Sequence, residues 1–61
     1  MTISKVNEQF LFNVIEQCEP VGKFYAEIGK CQFVAIDNSA GEAWTEEFSS
    51  SNDCVRWLNE V

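Results

Sequence analysis

The sequence predicts a single small α+β domain: a helix, a three-stranded antiparallel meander and a second helix (αβββα), with both helices on one face of the sheet. Three features lead there. Apolar residues recur at helical spacing in the first third, the middle alternates with a period of two between turn signals, and a serine cluster then opens a second helical stripe. Residues 1–61 form one domain, since a chain of 61 residues buries only ~60% of the surface its unfolded form exposes. Short connections place both helices on the same side of the meander.

The first helix is expected from Ile3 to Cys18, where Ile3, Val6, Phe10, Leu11, Val14, Ile15 and Cys18 fill one stripe. Thr2 or Ser4 supplies its cap, and Pro20 ends it, because the residue before a proline is driven out of the helical region. Asn7 interrupts the apolar stripe near the first turn. Phe12 stands on the opposite side among Lys5, Glu8, Glu16 and Glu19, and an aromatic on a charged face is a candidate contact anchor.

Phe24, Ala26 and Ile28 then alternate against Lys23, Tyr25 and Glu27, which is the period of a strand. Gly29-Lys30 reads as a two-residue type II′ hairpin loop, setting Ile28 opposite Cys31, Ala26 opposite Phe33 and Phe24 opposite Ala35. Asp37 to Gly41 is the second turn. A loop over 38–41 brings Trp44 opposite Ala35 and Phe48 opposite Cys31, with a bulge near Glu46 to keep that carboxylate out of the core. Ser50 caps the second helix with Asp53 three residues on, and Cys54, Val55, Trp57, Leu58 and Val61 share its inner face. Arg56 is within reach of Asp53 or Glu60.

The expected core is Phe10, Leu11, Val14, Ile15, Phe24, Ala26, Ile28, Phe33, Ala35, Trp44, Phe48, Trp57 and Leu58. With both helices on one side, the other face of the sheet is left bare. It would carry Tyr25, Val34, Ile36, Ala43 and Thr45, an apolar cluster ringed by Lys23, Glu27, Gln32 and Glu47.

Ten acidic residues against four basic ones leave a formal charge of −6, and the excess is concentrated after residue 31. Asp37, Glu42, Glu46, Glu47, Asp53 and Glu60 face Arg56 alone there. Such a surface repels phosphate and steers basic partners inward, so direct nucleic-acid binding is disfavoured. No leader-like segment and no run of 18 apolar residues is present, which points to a cytoplasmic protein without a membrane span. Cys18, Cys31 and Cys54 are odd in number and widely spaced, as suits buried reduced thiols.

The segment Phe48-Ser-Ser-Ser-Asn-Asp-Cys-Val-Arg-Trp-Leu58 resembles the strand-to-helix closure of small β-meander modules such as the amino-terminal arm-binding domains of tyrosine recombinases. The resemblance covers about a sixth of the chain and implies a β-meander whose last strand is closed by a helix. Those modules bind DNA through a basic sheet, whereas the matching sheet here carries Glu42, Glu46 and Glu47, so the activity does not carry over.

The chemistry available is narrow. Without histidine, Cys-His and Ser-His catalysis lack their base, and three cysteines lack a fourth zinc ligand. Glu46 and Glu47, adjacent on a strand, point to opposite faces and cannot flank one bond. The turn after Asp37 lacks the twelfth-position glutamate of a calcium loop, where Phe48 stands, and no glycine-rich phosphate loop is present. The expectation is therefore a non-enzymatic protein without metal, cofactor or small-molecule substrate. It would be an interaction module or small regulator, pairing with itself as a homodimer through the open sheet face or meeting a basic protein surface. The alternative is an acidic decoy that imitates nucleic acid and occupies the basic groove of its target. The candidate contact residues are Phe12, Tyr25, Val34, Ile36, Glu42, Glu46 and Glu47.

Overall fold

The computed structural model of the protein describes residues 3–39 and 42–60. Six elements follow in order: β1 (Ile3–Lys5), α1 (Glu8–Gln17), β2 (Lys23–Gly29), β3 (Gln32–Asp37), β4 (Trp44–Phe48) and α2 (Ser51–Glu60). They form a four-stranded sheet in the order β1-β2-β3-β4, with β1 parallel to β2 and the two later pairs antiparallel. The small α+β class and the three-strand meander are as the sequence suggests. The additional strand makes the sheet mixed.

β1 replaces the first turn and a half of the expected helix. Ile3 pairs with Lys23 and Lys5 with Tyr25, and α1 is the crossover that two parallel neighbours require. Asn7, which breaks the apolar stripe in the sequence, is the cap of α1: its side-chain oxygen accepts from the Phe10 N–H at 2.7 Å. Ser4 therefore lies in β1 and caps nothing. Thr2, the other expected cap, lies outside the described residues, as do Val61 and positions 40–41 of the second turn. At the other end Cys18 closes the helix in the left-handed region at φ 58°, its N–H bonded to the Val14 carbonyl at 2.8 Å.

One bulge decides the layering. β3 pairs with β2 through Phe24↔Ile36, Tyr25↔Ala35, Ala26↔Val34 and Glu27↔Phe33, and the register then shifts so that Gly29 faces Gln32. Ile28 is the extra residue, and the loop is Lys30-Cys31, one position later than expected, with Cys31 at φ 55°. A slip of one residue turns a strand over relative to its neighbour. Phe24 and Ala26 thus share a face with Val34 and Ile36, while Tyr25 shares the opposite face with Phe33 and Ala35.

Both faces are consequently apolar, and each has its own helix. Leu11 and Val14 of α1 pack on Phe24, Ala26, Val34 and Ile36, flanked by Val6, Ile15 and Ile28. Cys54 and Leu58 of α2 pack on Ala35 across the sheet, with Ile3, Tyr25, Phe33, Phe48 and Trp57 around them. The expectation that both helices lie on one face is corrected by this arrangement. The bare face bearing Tyr25, Val34 and Ile36 does not exist: Ile36 is fully buried, Val34 is 7% exposed, and Tyr25 lies half-buried on the far side.

The cap of α2 is as expected, Ser50 Oγ accepting from the Asp53 N–H at 3.3 Å. At its far end the Lys23 ammonium donates to the Leu58 carbonyl at 2.6 Å, a cation at the negative end of the helix. Since α2 begins just past the end of β4 and ends over the start of β2, it crosses the sheet diagonally. Trp44, opposite Asp37 at the far corner, is missed by that path and is 57% exposed, so it leaves the expected core. Phe10 also stands largely outside, edge-on to Phe24 at 5.7 Å between ring centroids. Cys18 and Cys31 are exposed, and only Cys54 is the expected buried thiol, its pKa raised by burial and by the neighbouring Asp53 carboxylate.

The second turn is held by a buried polar pair. Asn38 accepts from the Gly22 N–H at 2.7 Å and donates to the Pro20 carbonyl at 3.1 Å, tying the α1–β2 connection to the end of β3. Asp37 accepts from the Ser39 hydroxyl at 2.6 Å and the Ser39 N–H at 3.0 Å. Burial alone would raise the Asp37 pKa, but the Ser39 bonds and the Lys23 ammonium outweigh it and hold the carboxyl below its ordinary value.

Candidate interaction site

α1 lies over β2, while α2 spans β2, β3 and β4. On the α1 face, β4 is left without a helix above it, and a groove opens between α1 and β4. It has a volume of about 520 Å³, with Ile15, Ile28 and Val34 as apolar surface, Phe12 as one wall and Thr45, Glu46 and Glu47 along the other. Phe12 is 45% exposed and leans from α1 toward this opening, which gives the aromatic on a charged helix face a setting.

The groove brings together four of the residues marked in the sequence: Phe12, Val34, Glu46 and Glu47. Val34 contributes at its floor rather than on a bare sheet face. Tyr25 is on the opposite side of the sheet, and Ile36 lies in the core beneath α1. Glu42 is exposed ahead of β4. The sequence assigns Ile15 and Ile28 to the core and Thr45 to the bare sheet face, so none of the three is among the expected contact residues. Ile28 reaches the groove because it is the bulged residue of β2, and a bulged residue is re-aimed relative to its neighbours.

β4 is one of the two edge strands of the sheet among the described residues, and Trp44, Thr45, Glu46 and Glu47 are all exposed along it. Pairing puts Glu47 beside Val34 on the α1 face and Glu46 beside Ala35 on the α2 face, so the edge has a carboxylate on each side. Charges on an edge strand discourage a second copy from pairing there. The Arg56–Asp53 pair at 3.8 Å is exposed on α2 and contributes little. Among the described residues, no group of three or more His, Cys, Asp or Glu side chains could hold a metal ion, and no helix is long and apolar enough to cross a membrane. Comparison with family models, curated proteins and solved structures finds no match in any of the three.

Proposed function

We propose that the protein is a small acidic, non-enzymatic interaction module that receives a basic and apolar part of another protein at the groove between α1 and β4. The observation behind this reading is the pairing of an apolar floor, Ile15, Ile28 and Val34, with an acidic edge, Glu47 on the groove side of β4 and Glu46 on its other side, on a chain of net charge −6. The apolar surface offers burial, worth ~25 cal/mol per Å² removed from water, and the edge selects the sign of what enters. The alternation of Glu46 and Glu47 across β4 favours a module over a nucleic-acid decoy, since a decoy needs its carboxylates in rows on one surface.

The test is affinity capture from extract of the native host with three baits in parallel: the parent protein, Phe12→Glu and Asn59→Lys on the outer face of α2. A partner lost with Phe12→Glu and retained with Asn59→Lys supports the reading. Partners retained equally by all three overturn it.

A further inference from the structure

We propose that β4 and the groove beside it bind an extended segment of another protein as a fifth strand, one that carries an apolar anchor flanked by lysine or arginine residues on both of its faces. The inference rests on the interaction-module reading and adds the mode of binding and the chemistry of the partner segment. β4 ends the sheet among the described residues, and its five residues give an edge of ~17 Å, long enough for several backbone hydrogen bonds. An added strand would lie ~4.8 Å beyond β4. Its side chains on the α1 face would pass over the small Thr45 and enter the groove against Phe12, Ile15 and Val34.

Charge decides which strand fits. Glu47 lies on the α1 face and Glu46 on the α2 face, with Glu42 exposed just before the strand, so an incoming segment meets a carboxylate on both of its sides. Basic residues flanking an apolar anchor satisfy all three. A second copy of this chain does not, because pairing β4 with itself gathers Glu42, Glu46 and Glu47 of both copies along one seam, and like charges across strands are destabilising. The occupant is therefore a basic segment of a different protein.

The experiment is selection from a random peptide library displayed on phage, followed by synthesis of an enriched peptide and of its analogue N-methylated at alternate backbone positions. Enriched sequences are expected to carry an apolar anchor with lysine or arginine both next to it and two positions away, so that basic residues reach both faces. The parent peptide should move the amide resonances of Trp44 to Phe48 and the ring resonances of Phe12. N-methylation on the pairing edge should weaken it about tenfold or more, since backbone bonds carry the affinity of an added strand. Glu47→Lys should weaken it roughly three- to tenfold at low salt. Circular dichroism of each protein variant distinguishes lost binding from lost folding. If binding depends on Phe12 and Glu47 yet tolerates N-methylation, strand addition is overturned while the module reading stands. If no peptide is enriched, or those enriched are indifferent to Phe12→Glu and Glu47→Lys, both fall. Concentration-dependent protection of the β4 amides in the protein alone would make a second copy the occupant and overturn the proposal.

Discussion

Replacing Asn38 with alanine should cost the protein a large share of its stability. Asn38 is 3% exposed and makes two side-chain hydrogen bonds, accepting from Gly22 at 2.7 Å and donating to the Pro20 carbonyl at 3.1 Å. Each bond contributes about 1 kcal/mol net, and leaving the Gly22 N–H unpaired in its buried setting adds about 1 kcal/mol or more, for an expected loss of about 2–4 kcal/mol. A domain of 61 residues has roughly 3–9 kcal/mol in all, so the variant is left close to its folding midpoint. Urea unfolding followed by circular dichroism is the assay. With a slope of about 1 kcal/mol per molar for so small a domain, the midpoint should fall by roughly 2–4 M, or the variant should be unfolded in buffer. Asn13→Ala is the control, because its bond with Gln9 spans 3.5 Å on an exposed helix face and alanine favours a helix. If Asn38→Ala loses no more than about 0.5 kcal/mol, water replaces both bonds and the turn is not held as argued.

Three further outcomes are expected. Asn7→Ala should destabilise by about 1 kcal/mol, measured by urea unfolding, and by more than Ser50→Ala, whose capping bond is longer at 3.3 Å against 2.7 Å. Cys18→Gly should stabilise by about 0.5–1 kcal/mol, because relief of the left-handed conformation at φ 58° exceeds the extra entropy glycine brings to the unfolded chain. Asp37 has a folded pKa below its unfolded value, so its contribution is complete above about pH 4 and is lost as pH falls through the folded value. Stability measured from pH 5 downward should therefore fall less steeply in Asp37→Asn than in the parent.

Elements with strong local patterns were legible in the sequence, and features fixed by distant partners were not. α2 follows from its cap at Ser50 and its apolar stripe, and Trp44, Glu46 and Phe48 share a face with Phe33 and Ala35 as their alternation requires. β1 has three residues, too few for a period, and its partner Lys23 is twenty positions away, so nothing local distinguishes it from a helix start. Asn7 was the available signal, since it is a better cap than threonine and breaks the stripe where the helix begins. The sequence points to a hairpin loop one residue too early because Gly29 is the residue a turn favours, whereas the left-handed position is occupied by Cys31. That single step exchanged a bare face for two covered ones. In the groove, Phe12, Glu46 and Glu47 were legible as a misplaced aromatic and adjacent strand carboxylates, but their proximity depends on where α1 comes to rest.

Why the groove lies beside β4 follows from the widths involved. Four strands span ~14 Å between the axes of the first and last, and a helix with its side chains covers ~10–12 Å. One helix per face therefore leaves one flank of each face open, and the position of each helix is set by its connections. α1 must return the chain from the end of β1 to the start of the adjacent β2, which keeps it over that side of the sheet; α2 leaves from β4 and is drawn across to Lys23 on β2. Both paths favour β2 and β3, whose residues from Val34 to Asp37 are buried on both faces, and they leave β4 as the exposed margin. An apolar margin would invite pairing between copies; Glu46 and Glu47 oppose it. The same two carboxylates make the margin selective, because the edge remains competent to pair with a strand whose charge is opposite.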